Sequence, residues 1–341
     1  MKLSISRNEL LTPLQQVIGA VEKRQTMPAL ANVLLVANES GFSLTATDLE
    51  IALKASVNYP VEETGRVTIP ARKLLDICKA LPDDCQVSLE VDSTKALIKA
   101  GRSRFNLVCL NADDFPTIDD ITSTKTFKVK QSILKSLLDK TSFSMANQDV
   151  RFYLNGLMLE VGKNFLRCVA TDGHRLSLAE TETEVDTESS QQIIVPRKGV
   201  NELQRLLQDS DEEINIQIST NHVRAYTDNL EFTSKLIDGR FPDYNRVLPE
   251  ETQNRLVADK TSLKVALTRA SILSNEKYRG IRLELSPNLL CIQAHNSEQE
   301  EAKDELEVQY DGDKIEVGFN VQYVLDVLNV IPGSLVELDL K

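Results

Sequence analysis

Leu166-Arg-Cys-Val-Ala-Thr-Asp172 is the stretch that decides the fold, because two other stretches of the chain have the same design. Leu44-Thr-Ala-Thr-Asp-Leu-Glu50 and Leu290-Cys-Ile-Gln-Ala-His-Asn296 fill equivalent slots. A second triplet accompanies them: Val67-Thr-Ile-Pro-Ala-Arg72, Ile193-Ile-Val-Pro-Arg-Lys198 and Ile315-Glu-Val-Gly-Phe-Asn320. Each member of that triplet runs into an amphipathic segment, 73–80, 199–207 and 321–330. The repeats lie roughly 122 to 126 residues apart. A period that long is a whole domain rather than a solenoid unit. Three like domains predict a scaffold with rotational symmetry, not a single catalytic cleft.

Working outward, repeat one opens with a strand at 2–5 and a helix over 7–20 whose Leu10, Leu11, Leu14, Val17 and Ile18 share a stripe. Ser6 and Glu9 have capping-box spacing. Strands are expected at 32–37, 41–47 and 51–58, a second helix stopping before Pro82, and strands at 86–91, 96–100 and 104–110, with Asp92-Ser-Thr as a turn. Repeat two follows the same order: strand 126–129, helix 131–145, strands 154–161, 165–171 and 175–180, a polar connection over 181–192, helix 199–207, and strands 214–219, 222–227 and 230–237. Repeat three has a strand at 254–257, a helix at 261–272, strands at 282–285, 289–295 and 305–310, a helix ending near Ile331 and a strand at 335–340. A complete repeat is thus about eight strands and two helices, an α+β fold. Repeat three shows one strand after its second helix where the others show three. By analogy roughly 25 further residues are expected beyond Lys341.

The chain has 341 residues, enough for three domains of about 115. Its formal net charge of -12 excludes a uniformly basic coat but not nucleic acid, since binding depends on where charge sits. Five cysteines without a CxxC pair predict buried thiols in a reducing cytoplasm. The N-terminus has no apolar signal core, and no apolar run is long enough to span a bilayer, so secretion and membrane insertion are not expected.

Positive charge gathers on and near the expected helices. Arg72, Lys73 and Lys79 stand against Asp76; Arg197, Lys198 and Arg205 against Glu202; Lys125, Lys128, Lys130, Lys135 and Lys140 against Asp139; Lys260, Lys264 and Arg269 have no acid among them. Between Glu298 and Asp311 seven acids face only Lys303. If the helices line one face, that face is a cationic surface suited to a phosphate backbone. The plain alternative is lysine on the wet side of amphipathic helices.

No catalytic constellation emerges. His174, His222 and His295 lack metal-ligand spacing. Thr171-Asp-Gly-His-Arg175 reads first as a strand-end turn built on Gly173. There is no nucleophile elbow, P-loop or dinucleotide fingerprint. Neither a cofactor nor a metal is expected. Gly239-Arg-Phe-Pro-Asp-Tyr-Asn-Arg-Val-Leu-Pro249 puts apolar residues in a connector, and Asp114-Phe-Pro-Thr-Ile118 fills its slot in repeat one. Two readings stay open: a linker packed on its own domain, or the wall of an apolar groove.

Ala170-Thr-Asp-Gly-His-Arg-Leu176, Val195-Pro-Arg-Lys-Gly199, Asp238-Gly-Arg-Phe-Pro-Asp-Tyr244, Leu273-Ser-Asn-Glu-Lys277 and Gly318-Phe-Asn-Val321 carry a resemblance to the bacterial DNA polymerase III beta subunit, the replicative sliding clamp family, over essentially the whole chain. The resemblance implies three tandem DNA-clamp domains, at 1–121, 122–250 and 251–341. Each would have two helices on an inner face and antiparallel sheets outside, together forming half of a ring. It implies a head-to-tail homodimer around double-stranded DNA, tethering replicative and repair polymerases and loaded by clamp loader subunits, with no catalytic site of its own. DNA contacts carry over to Arg24 and Gln148, with Arg197 and Lys198 nearby. A partner-peptide groove carries over to Leu154, Thr171, Gly173, His174, Arg175, Leu176, Pro242, Arg246 and Val247. The family groove is completed by residues of the extreme C-terminus that this sequence lacks. The dimer interface carries over to Lys73, Phe105 and Leu107 on one side and Ile272, Leu273, Glu298 and Glu300 on the other. A monomeric peptide-binding scaffold that does not encircle DNA is the competing reading, and oligomeric state separates the two.

Overall fold

A computed structural model describes residues 1–22, 27–92, 94–116, 122, 124–183, 190–249 and 254–340. Repeat one contains β1 (Lys2–Ser6), α1 (Arg7–Val17), β2 (Asn32–Asn38), β3 (Gly41–Thr47), β4 (Ile51–Val57), β5 (Gly65–Pro70), α2 (Ala71–Ala80), β6 (Gln86–Asp92), β7 (Lys95–Ala100) and β8 (Ser103–Val108). Repeat two contains β9 (Lys125–Lys130), α3 (Gln131–Thr141), β10 (Gly156–Gly162), β11 (Phe165–Thr171), β12 (Leu176–Glu182), β13 (Gln191–Pro196), α4 (Arg197–Leu206), β14 (Glu213–Ile218), β15 (His222–Tyr226) and β16 (Leu230–Lys235). Repeat three contains β17 (Asn254–Asp259), α5 (Lys260–Ser271), β18 (Gly280–Ser286), β19 (Leu289–His295), β20 (Glu301–Glu307), β21 (Ile315–Asn320), α6 (Val321–Val330) and β22 (Leu335–Leu340). The stretches that opened the sequence reading are β3, β11 and β19. The second triplet is β5, β13 and β21, each feeding a helix.

Local chemistry explains the helix starts. Ser6 Oγ accepts from the Glu9 amide at 3.3 Å and donates to the Glu9 carboxylate at 2.8 Å, so the expected cap forms. Asp259 caps α5 by accepting from the Ser262 amide at 2.8 Å, and Asn320 caps α6 through Gln322 at 2.9 Å. α2 and α4 follow Pro70 and Pro196, whose fixed φ suits a helix entry. On α1, Leu10, Leu14 and Val17 are buried, the stripe read from sequence.

Each complete repeat makes two four-stranded antiparallel sheets. One holds β1, β6, β7 and β8, or β9, β14, β15 and β16; the other holds β2 to β5, or β10 to β13. Strand β4 then pairs antiparallel with β16, with Phe232 opposite Leu53 and Glu231 opposite Lys54, and fuses two of these into one eight-stranded sheet. Phe232 is 1% exposed and Leu53 is fully buried. Burying a side chain of that size is worth about 1.5–3 kcal/mol. Repeats one and two therefore share a core and form one compact unit, Met1–Arg240. Phe241–Lys341 is a second unit with its own core, including Leu256, Leu267, Leu283, Leu290 and Val336.

Several expectations shift. The strand expected at Glu305–Tyr310 is β20, Glu301–Glu307; its faces alternate between exposed and half-buried, and acids occupy much of it, so hydrophobic patterning hid it. Leu154 belongs to a single 3₁₀ turn, Phe152–Leu154, and the strand begins at Gly156. The helices expected to reach Ala20 and Met145 end as α-helix at Val17 and Thr141, followed by 3₁₀ turns. Lys125, Lys128 and Lys130 lie on β9, not on a helix, so α3 retains only Lys135 and Lys140 against Asp139. The connection expected over 181–192 is shortened by β12 and β13 at its ends; residues 184–189 lie outside the described part, as does Ser93 of the expected turn.

Candidate interaction sites

The Thr-Asp sequence after β3 and β11 builds the same turn twice. Thr171 Oγ1 donates to the Arg175 carbonyl at 2.6 Å and accepts from the Gly173 amide at 3.1 Å. Asp172 Oδ1 accepts from the amides of His174 at 2.9 Å and Arg175 at 3.0 Å. In repeat one, Thr47 Oγ1 donates to the Ile51 carbonyl at 2.7 Å, and Asp48 accepts from the Glu50 and Ile51 amides at 2.9 and 2.8 Å. Asn296 holds the third turn through the Glu298 and Glu300 amides, both at 3.0 Å. These side chains hold backbone, as threonine and aspartate do in turns. Gly173 takes φ 87°, and Leu49 takes φ 75° in the equivalent place, a left-handed conformation that a branched apolar residue adopts only under tertiary constraint.

In repeat two a second loop packs on this turn. Asn155 clamps Asp149 from both sides, its Oδ1 accepting from the Asp149 amide and its Nδ2 donating to the Asp149 carbonyl, each at 2.8 Å. Arg151 bonds the Asp149 carboxylate at 3.0 and 2.9 Å and donates to the Asp172 carbonyl at 3.3 Å. Those bonds from Arg151 hold the Asp149 carboxyl at about 2, below its ordinary 3.8. The clamped loop leaves Val150 and Phe152 exposed at 87% and 74%, and Gln148 is exposed with φ 57°. Sequence reading passed over Val150 and Phe152; two apolar residues in a polar loop were the available signal.

Most of the carried-over peptide-groove residues meet here. Leu154 is buried beneath the loop; Gly173 and His174 are exposed at the turn; Thr171, Arg175 and Leu176 are half-buried. Arg175 is held by Asp172 at 3.1 Å and by the Phe143 carbonyl at 2.7 Å, with its guanidinium 5.5 Å from the Phe143 ring centre. The His174 amide is held by Asp172, and no cluster of three or more side chains able to hold a metal ion occurs among the described residues. Pro242, Arg246 and Val247 belong to the second unit. There Phe241 and Tyr244 are buried, Arg246 bonds Asp243 at 3.1 Å, and Val247 is 66% exposed on a short turn. The connector is thus partly a packed linker and partly an exposed apolar surface.

The carried-over DNA contacts divide. Arg24 lies outside the described residues. Arg197, at the start of α4, donates to the Met145 carbonyl at 2.8 Å and the Ala146 carbonyl at 3.4 Å. Lys198 Nζ is ion-paired with Asp48 of repeat one, whose side chain is 3% exposed. Further along α4, Arg205 donates to the Gln15 and Gln16 carbonyls at 2.9 and 2.6 Å and bonds Glu202 at 2.8 Å. An added Cβ on Gly19 would fall 1.9 Å from the Glu202 carboxylate, a measure of how closely the 3₁₀ turn after α1 meets α4. Two of the cations read as a phosphate surface therefore serve as rivets between repeats one and two.

The carried-over dimer residues lie at sheet edges and helix ends. Leu107 is 9% exposed and already spent on its own repeat, whereas Phe105 is half-buried and Lys73 exposed. Ile272 at the end of α5 is 76% exposed, Leu273 is half-buried, and Glu298 and Glu300 are exposed. All five cysteines are free, and burial raises the Cys78 thiol to about 11. No described helix is long and apolar enough to cross a membrane.

Known proteins agree with this architecture. The N-terminal, central and C-terminal domain models of the DNA polymerase III beta subunit match residues 1–119, 128–243 and 245–341. The beta sliding clamp of Pseudomonas aeruginosa is 53% identical over 342 residues, covering 100% of this chain and 93% of the relative. That of Escherichia coli K12 is 48% identical over 339 residues, 99% and 92% of the two chains. A crystal structure of the Pseudomonas aeruginosa DnaN sliding clamp bound to griselimycin superposes with a TM-score of 0.96 at 52% identity, covering 100% of this chain and 93% of that one. Caulobacter crescentus pol III beta gives 0.91 at 39% identity, over 99% and 92%.

Proposed function

The chain belongs to the DNA polymerase III beta subunit family, and from that premise we propose how its surfaces act. It is a replicative sliding clamp that holds DNA polymerase on duplex DNA for processive synthesis, and it is not itself an enzyme. The observation that carries this is the repeated two-helix unit, matched end to end by three separate domain models of one family. Tethering raises the local concentration of polymerase at the template, so a released active site re-engages before it diffuses away. Phosphate contacts without base readout hold the clamp on DNA and let it slide. We set the domain boundaries at 1–121, 122–250 and 251–341.

The seam inside the first unit is our template for assembly with a second chain. Strand β8 occupies in repeat one the place of β16, with Phe105 in the slot of Phe232. Strand β20 occupies in repeat three the place of β4, with Ala302 in the slot of Leu53. Ile272 stands as far from its helix N-cap as Gly19 does. Arg72 holds the slot of Lys198, and Glu298 and Glu300 follow Asn296, the slot of Asp48, in the turn it holds. A head-to-tail homodimer would pair β8 with β20 of the second chain, Phe105 opposite Ala302. It would bring Arg72 and Lys73 to Glu298 and Glu300, and cover Ile272. That is an apolar centre with a charged rim.

For DNA we propose Arg24 and Gln148 as contacts. Arg197 and Lys198 contribute only by exchanging the Met145 carbonyl and Asp48 for phosphate, so their share is small. The turn at Thr171–Leu176, Leu154 and the Pro242–Val247 segment take partner peptides from replicative and repair polymerases and from clamp loader subunits. We place the protein in the cytoplasm, where its free thiols stay reduced. The test is retention on nicked circular DNA in the presence of the loader. Clamp that stays on the circle and leaves on linearisation supports topological linkage; equal loss from both forms refutes it.

A further inference from the structure

One cavity, of about 420 Å³, opens on the sheet that joins repeats one and two, on the side where Lys54 and Glu231 emerge. Its floor is Leu34, Thr45, Ala52 and Thr233, and its end wall is Phe115 and Pro116. Thr45, Ala52, Thr233 and Phe115 are all under a tenth exposed, so the floor is firm. Its rim is cationic. Lys54, Arg66 and Arg224 line it, and the only acid among the lining residues is Glu231. Arg224 bonds Glu231 at 3.1 Å, and Arg66 pairs with Asp113 outside the cavity. Lys54 is exposed and has no ion pair among the described residues. A cationic rim with an unpaired lysine, on a chain of net charge -12, is the reverse of the chain's general character.

The cavity also repeats a position. Ala52 of β4 stands where Leu176 stands in β12, each paired with the threonine that ends the preceding strand. Pro116 follows Phe115 as Pro242 follows Phe241. We propose that this cavity is a second peptide-docking site on each chain, taking a short extended segment that places an acidic side chain beside an apolar one. The apolar side chain enters over Ala52 against Phe115 and Pro116. The carboxylate meets Lys54 and the Thr45 and Thr233 hydroxyls. Compared with Leu176 and Leu178 in repeat two, Ala52 and Lys54 widen the floor and charge it, so this site selects acidic segments by charge complementarity. The proposal rests on the peptide-docking reading of the Leu176 and Pro242 positions for its choice of occupant, and on the cavity alone for its location and charge.

The probe is a fluorescein-labelled Glu-Asp-Leu-Phe tetrapeptide amide, with Lys-Lys-Leu-Phe as control, titrated by anisotropy into the full chain. Expected are binding of the acidic peptide alone, weakening as salt rises, and at least about a tenfold loss of affinity in Lys54→Glu. Deuterium exchange with the peptide bound should slow at residues 52–55 and 112–115. Lys54 is exposed, so the variant folds, and an unchanged melting curve verifies that. Equal binding of both peptides, no binding, or loss of binding in a Val247→Asp chain but not in Lys54→Glu would overturn the proposal. Retention of Lys54→Glu on nicked circular DNA should equal that of the parent; failure of the parent itself in that assay would count against the clamp reading and leave the docking result standing.

Discussion

Strand β16 and strand β8 occupy the same place in successive repeats, yet one is covered within the chain and the other is an edge. At β16 the slot residue Phe232 is 1% exposed against a fully buried Leu53, and Lys198 and Arg205 rivet the neighbouring helix to repeat one. At β8 the slot residue Phe105 is half-buried, and Val108 is 68% exposed. The scaffold is the same and the covering differs. A seam that folds once with its own chain can bury its aromatic and bond its cations, because it never has to part. Strand β8, the edge where we propose a second chain, keeps its apolar residue only half covered, as suits a contact that has to form and part.

The largest effect that tests this contrast is Phe232→Ala. Deleting a buried phenyl at the internal seam should cost about 3–5 kcal/mol, seen as a drop in the denaturant midpoint. Phe105→Ala, the same change in the same slot, should leave the monomer near parental stability and weaken self-association instead. Equal losses in the two variants would erase the distinction. Next comes Ile272→Asp, which puts a charge where we expect a second chain. A cost of about 2 kcal/mol would raise the dimer dissociation constant about 30-fold, read by sedimentation at several concentrations. An unchanged dimer would exclude α5 from the interface. Asp48→Ala should be milder, about 1–2 kcal/mol, because it strands Lys198 and frees two turn amides. The smallest effect concerns the Asp149 loop. Its carboxyl lies below the ordinary value, so its support is complete above about 3.8 and is lost as pH falls toward about 2. Amide exchange at residues 149–155 should quicken over that interval while the seam at β16 stays protected.

What could be read in advance divides along the same line. Elements set by local chemistry were legible: the Ser6–Glu9 cap, the strand-to-helix entries at Pro70 and Pro196, the stripe on α1. Slots were legible because repetition supplies its own control, and β3, β11 and β19 fell where their shared pattern put them. Strand β20 was misplaced because acids carry its alternation, with too little apolar contrast to mark a face. The Lys198–Asp48 pair joins residues 150 apart in sequence, and no local pattern reports it. Basic residues near helices were legible as charge, but not as rivets, since the carbonyls and carboxylate that engage them come from another repeat. The turn at Thr171–Arg175 was read correctly as backbone chemistry, while the loop that packs on it, with Val150 and Phe152 outward, went unread because its order comes from the Asn155 clamp.

Hydrogen bonds from β4 to β16, extended by Ser56 to the Asn229 carbonyl at 2.8 Å and Lys235 to the Glu50 carbonyl at 2.9 Å, decide how repeat one is set against repeat two. Covalent continuity between the two is therefore a leash and not a ruler. A chain lengthened, or even severed, between Pro116 and Thr124 should still bring the halves to the same register.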